Sequence, residues 1–364
     1  MVDKQTWWWA SKPGDGQANL VVEPVETTTL FRQFHFFMRK TLFIATTFLA
    51  SLLMVSCGKK PLTDAHGCFE SIEEAVEAAG KSNKDILVFI TQGPDEYSDA
   101  FSNAIFTSEL FKDVFSKNYT IAHLDFGDAF AEKTLNAPSE KLSQRYSEAL
   151  FANSIMATCL STSSIPAVYL LSKEGYYIAD LNYSGDTTNS QELETKLAAI
   201  KEKAASIHSR IEATKTGSII ERMNAIKWFQ DNIDADYLYT YVPLFYEGSE
   251  LDKNDESGYV SQFYVKYVLL DAIKFAQIND IASAVATLEA AAKSGKLKSH
   301  EKQEVLYQAG AFLLQNGLGE YETIANYFDA AIVADPESEV VSQLIYVRDY
   351  LRLMNSDSQE QVLE

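Results

Sequence analysis

The chain has 364 residues, room for two ordinary domains and a leader, and its 46% hydrophobic and 23% charged residues are the balance of a globular protein. A net charge of −20 argues against nucleic acid or an anionic membrane face as a charge-driven partner, and a soluble acidic surface accounts for it. Three cysteines (Cys57, Cys68, Cys159) and five scattered histidines form no CxxC, no HExxH and no zinc-type spacing, so no metal and no other cofactor is expected.

Residues 1–37 hold Trp7-Trp8-Trp9 and a Gly/Pro stretch but no clear period. The first strong local signal follows them: Met38-Arg39-Lys40, the apolar run Thr41 to Val55, then Ser56-Cys57-Gly58. A positive start, a short apolar core and a small residue before a cleavage point are the parts of a secretory signal, and the run is short for a membrane span. The ending Met54-Val55-Ser56-Cys57 resembles the lipobox of bacterial lipoprotein precursors. That resemblance implies a signal peptide over 38–56, a lipid on Cys57 as the mature amino terminus, and a tether over 57–67. It also implies export to the bacterial cell envelope, with the membrane reached through the lipid anchor. On this reading translation starts at Met38 and residues 1–37 are a misassigned extension. An uncleaved anchor with Cys57 as a buried thiol is the alternative.

Patterned sequence begins near Cys68. Ser71-Ile72-Glu73-Glu74 has the form of a capping box opening an amphipathic helix. Ile86 to Ile90 reads as a strand buried on both faces, and Gln92-Gly93-Pro94-Asp95 as a turn. One helix is expected from about Glu96 to Ser116, with Phe101, Ile105, Phe106, Leu110, Phe111 and Phe115 on its apolar side. Then come a strand over Ile121 to Phe126, a helix over Ser139 to Leu160, and a strand over Ala167 to Leu171 entered through Ile165-Pro166. A proline opening a central strand points to a special turn, a cis bond being one case. The turn Lys173-Glu174-Gly175 makes a hairpin with Tyr176 to Leu181, and a helix starts near Ser190. This order demands an α/β domain with a mixed sheet covered by helices.

The order, the Ile-Pro before a strand and the hairpin resemble the thioredoxin fold. Phe89-Ile90-Thr91 through Phe106, then Phe111 and Asn118-Tyr119 to Leu124-Asp125-Phe126, resemble secreted bacterial thioredoxin-like proteins with a CxxC ahead of a helix ending in Val-Phe. Counting back from Phe106 puts Asp95 and Ser98 at the two cysteine positions. Thiol–disulfide exchange needs an attacking and a resolving thiol, so dithiol chemistry is excluded there, and no cysteine lies between Cys68 and Cys159 to rescue it. The resemblance leaves a possible peptide groove: Ile165 and Pro166 on one side, Gly93, Pro94 and the stretch to Ser98 opposite, with main-chain pairing as the means of capture. A purely architectural Pro166 is the alternative. Cys68 and Cys159 are read as buried thiols, as a structural disulfide, or as a redox pair.

The thioredoxin-like domain is assigned 68–205, and 206–364 is read as an all-α domain. Ile220 to Phe229 opens one helix, Tyr259 to Ala276 is another, and the polar stretch Glu247 to Gly258 is taken as a loop between helices. The aromatic stripe Tyr237-Tyr239-Tyr241-Phe245 is read as core. From Asn279 on, two segments look alike. The second (Leu306, Ala309, Gly310 and Leu313, then Asn316-Gly317, Ala325, Phe328, Ala331 and Asp335-Pro336) resembles a tetratricopeptide repeat. It departs from that pattern at Leu318-Gly319 and Ile324. The sequons at Asn118 and Asn182 are treated as chance matches.

These features together point to a lipid-anchored envelope protein that binds a protein or peptide partner, with no residue assigned as catalytic. A thiol oxidoreductase working through Cys68 or Cys159 is the alternative, and a scaffold without a specific ligand is a third.

Overall fold

A computed structural model describes residues 60–181 and 189–360, with side chains to 355. The N-terminal extension, the signal segment, Cys57 and the second sequon at Asn182 lie outside the described residues. The chain divides into two compact units after Lys201.

The first unit contains a four-stranded mixed sheet flanked by helices. Its elements in chain order are α1 (Ile72–Ser82), β1 (Ile86–Thr91), α2 (Glu96–Phe106), β2 (Thr120–Asp125), α3 (Asp128–Leu135), α4 (Glu140–Cys159), β3 (Ala167–Leu171), β4 (Tyr177–Asp180) and α5 (Ser190–Ala199). The strand order is β2-β1-β3-β4. β1 runs parallel to β2, with Phe89 level with His123 and Thr91 with Asp125, and antiparallel to β3, with Ile90 level with Ala167. Every residue of β1 and β3 is buried, so their unbroken apolar runs belong to strands covered on both faces. Phe69 adds a single bridge to the outer edge of β2 at Ala122.

The core is aromatic. Phe89 meets Phe106 edge-on at 5.1 Å and Phe101 at 6.0 Å, and Phe106 continues to Phe111 at 5.2 Å. Burying each such ring contributes about 1.5–3 kcal/mol over leaving it exposed.

Two local expectations change. Ser71 caps α1 by accepting from Glu74 N at 3.4 Å, but the reciprocal half of the capping box is missing. The Glu74 carboxylate instead accepts from Leu62 N at 2.7 Å and pairs with Arg145 at 2.6 Å, because those partners reach it from the incoming chain and from α4. The single helix expected from Glu96 to Ser116 is broken after Phe106. Ser108 Oγ donates to the Ile105 carbonyl at 2.7 Å, accepts from Phe111 N at 3.1 Å, and receives the Ser190 hydroxyl at 2.7 Å. A serine that satisfies backbone groups this way competes with the helix. The chain restarts as a π-helical turn, Phe111–Phe115, in which Phe111 and Phe115 are still buried. Asn153 joins α4 to the start of α1: it accepts from Ile72 N at 2.9 Å and donates to the Glu70 carbonyl at 2.8 Å.

The second unit is helical throughout its described residues: α6 (Lys201–Ala213), α7 (Ile219–Asn232), α8 (Val242–Leu251), α9 (Val260–Gln277), α10 (Ile281–Lys293), α11 (Ser299–Gln315), α12 (Tyr321–Ala334) and α13 (Val341–Glu360), with a 3-10 segment over Ala235–Tyr241. From α8 onward each helix packs on its successor, and α9 also packs on α11. Small residues permit the close approach. Ala272, Ala284 and Ala309 are fully buried, and a Cβ on Gly310 would stand 3.1 Å from Phe328 and Tyr327. Tyr241 and Phe245 are buried, stacked on Phe229 at 4.6 Å and Phe263 at 5.4 Å, while Tyr237 and Tyr239 are half-buried. The polar stretch expected as a loop from Glu247 is helical as far as Leu251; the loop starts at Asp252. Asp252 ends the helix because its buried carboxylate accepts from Glu256 N and Ser257 N, both at 2.9 Å. Among the described residues no helix is long and apolar enough to cross a membrane.

Candidate functional site

Gly93, Pro94, Asp95, Ser98, Ile165 and Pro166 lie at one end of the sheet. β1 ends at Thr91, the turn Gln92-Gly93-Pro94 follows, and α2 starts after Asp95. Because Ala167 is level with Ile90, the register carries Pro166 level with Thr91, beside that turn. The Ile165–Pro166 and Gly93–Pro94 bonds are both cis. Ile165, Pro166 and Gly93 are half-buried, and Pro94 is exposed.

Asp95 and Ser98 hold this junction together. Asp95 is the N-cap of α2 and its carboxylate accepts from Ser98 N at 2.9 Å. Ser98 is buried and its Oγ accepts from Gln92 N at 3.2 Å. Neither side chain is a nucleophile for disulfides. Between them Tyr97 stands 74% exposed on the first turn of α2, a large aromatic at the rim. The sequence gives no sign of it, because nothing in the local pattern separates an exposed tyrosine from a packed one.

A polar chain behind the turn was also missed. Asp64 pairs with His123 Nδ1 at 2.8 Å, His123 Nε2 lies 2.9 Å from the Thr91 hydroxyl, and Thr91 donates to Asp125 at 3.3 Å. The same Asp125 oxygen accepts from Gly93 N at 3.0 Å and Gly127 N at 3.1 Å, and Asp128 N donates to the Gly93 carbonyl at 2.9 Å. Burial pushes the Asp64 carboxyl up, but this is outweighed by the His123 hydrogen bond, the Cys68 and His66 amides and the field of His123, and it titrates below the usual carboxylate range. A hydroxyl, an imidazole and a carboxylate in sequence resemble a nucleophile relay. Here Thr91 is only 3% exposed, so the chain fixes the turn rather than attacking a substrate. One signal was available: His123 is the lone polar residue inside the run Ile121-Ala122-His123-Leu124.

Gly127 completes the junction. A Cβ there would lie 1.7 Å from the Gly93 carbonyl oxygen, so only glycine lets the two backbones approach this closely.

Cys68 and Cys159 are not joined in a disulfide, and both are buried. Burial, then the negative field of Asp64 and Glu70 and a hydrogen bond to Asp64, push the Cys68 thiol far above the ordinary range, the opposite of what a reactive thiolate needs. Among the described residues no group of three or more His, Cys, Asp or Glu side chains is placed to hold a metal ion.

Residues 259–356 match a family model described as an uncharacterised protein C-terminal domain. No curated protein matches the chain. Among solved structures the chain is similar to one titled DsbH Oxidoreductase, at 19% identity and a TM-score of 0.29, covering 39% of this chain and 90% of that one.

Proposed function

We propose that the protein is an exported envelope lipoprotein, anchored through Cys57, whose sheet unit is a thioredoxin-like domain without redox function and whose helical unit is built from tetratricopeptide-like repeats. Its role is to hold a protein or peptide partner at the membrane. The observation that carries this reading is the use of Asp95 and Ser98: one caps α2, the other is buried under the turn, and neither can exchange a disulfide. The strand order and the placement of Pro166 beside the turn support the fold assignment. Exposed Tyr97 and Pro94 offer an aromatic and apolar rim at which an extended peptide can pair with main chain near Ile165. Crosslinking of the full-length protein in the envelope of its own host tests the idea. A specific adduct weakened in Tyr97→Ala is expected, together with loss of lipid labelling in Cys57→Ser. Efficient insulin reduction by the wild-type protein would overturn it.

A further inference from the structure

The helical unit has a groove that the site above does not use. It lies between α10, α11 and α12 as an open depression of about 1060 Å³, slightly above the usual range for small-molecule sites. Leu306, Ala330 and Val333 belong to its apolar part, and Val333 is 78% exposed, an uncovered aliphatic side chain on a packed helix. Lys293, Lys298 and Lys302 line the same groove.

Those lysines are unusual in this chain. Net charge is −20, yet Lys293, Lys296, Lys298 and Lys302 fall within ten residues. The only acid among those ten, Glu301, is buried and accepts from the Ser261 hydroxyl at 2.8 Å. Lys298 is committed to Asp255 at 2.9 Å and to the Gly258 carbonyl at 2.8 Å. The pair Lys293–Glu289, at 3.3 Å, is largely solvent-exposed and is easily exchanged for another carboxylate. Glu289, the one acid lining the groove, is further occupied by the Tyr327 hydroxyl. Lys302 is exposed and has no ion pair among the described residues.

We propose that this groove docks an acidic peptide segment of a protein partner, aliphatic side chains seated on Leu306, Ala330 and Val333 and carboxylates on Lys293 and Lys302. The inference rests on the reading of the protein as a partner-binding lipoprotein and names the chemistry of one partner. An apolar floor with a like-signed rim gives affinity through burial and selectivity through charge. On a protein otherwise acidic, the lysine cluster also sets where an acidic segment can land.

The test is selection of displayed random dodecapeptides on the immobilised full-length protein, with the winners titrated by fluorescence anisotropy. Peptides rich in Asp, Glu and aliphatic residues are expected. Their binding weakens as salt rises, and falls about tenfold or more in the double variant Lys293→Glu/Lys302→Glu. Both positions are exposed, so the variant keeps its fold, which circular dichroism checks; Val333→Ser removes the apolar contact without touching charge. Winners that bind the double variant unchanged but lose affinity in Tyr97→Ala overturn the groove and spare the broader reading. No enriched peptide at all counts against both. Charge-dependent binding to phosphatidylglycerol vesicles, lost in the double variant and with no acidic peptide selected, would assign the lysines to lipid headgroups and overturn the proposal.

Discussion

Replacing Gly127 by alanine is the sharpest perturbation of the turn beside Pro166. The added methyl would sit 1.7 Å from the Gly93 carbonyl oxygen, half the 3.4 Å at which ordinary contact begins, and the obstacle is backbone that cannot rotate away. The turn must retreat, and two hydrogen bonds go with it: Asp128 N to the Gly93 carbonyl at 2.9 Å and Gly93 N to the Asp125 carboxylate at 3.0 Å. A neutral bond is worth about 0.5–1.5 kcal/mol net and one to a charged group about 1.5–3, so the expected loss is about 2–4 kcal/mol. In urea, with a slope of about 2 kcal/mol/M, the midpoint of the sheet unit falls by about 1–2 M. Circular dichroism should follow the transition, because Trp228, the one tryptophan among the described residues, lies in the other unit. Hydrogen exchange should show protection lost at Asp128 and Gly93. Gly80→Ala is the control: it sits exposed near the end of α1 with nothing within 4 Å, and should stabilise by about 0.5–1 kcal/mol. A Gly127→Ala variant within 0.5 kcal/mol of wild type, with exchange at Asp128 unchanged, would refute the close approach.

Two further outcomes are expected. In Asp95→Cys/Ser98→Cys the new thiols occupy the N-cap and the buried position one turn on, next to a helix N-terminus that favours a thiolate; the double variant should form an internal disulfide by mass and reduce insulin faster than wild type, and a pair that stays reduced under a disulfide buffer would show that the junction does not support dithiol chemistry. Asp64, whose folded-state value is depressed, contributes stability that is fully present above its unfolded value of ~3.9 and is lost as pH falls through the folded value. Stability measured from pH 5 to pH 2 should therefore decline less steeply in Asp64→Asn, which is weaker at neutral pH; identical slopes would exclude Asp64 as a contributor.

The strands and several helix starts were legible in the sequence because their causes are local, whereas α3 was not expected. β1 and β3 are short apolar runs bounded by polar breaks, and only burial on both faces permits that composition. Ser139, Asn189 and Ser218 each accept from a backbone amide three residues on, so those helices begin where a capping residue stands. Ser218 and Glu221 form the full reciprocal box that Ser71 and Glu74 do not. The difference is that Arg145 lies 71 residues from Glu74 in the chain and competes for its carboxylate.

What the sequence determined by itself is the absence of a CxxC at that turn: no cysteine stands between positions 68 and 159. What only tertiary structure decided is the use made of the remaining parts. Asp95 and Ser98 became a cap and a buried acceptor, and Asp64 and His123, 59 residues apart, became one hydrogen-bonded pair. Cys68 became a buried thiol held well above its ordinary range because the core, Asp64 and Glu70 surround it. Each of these depends on groups brought close by the sheet register and helix packing, and one-dimensional spacing carries no term for that distance.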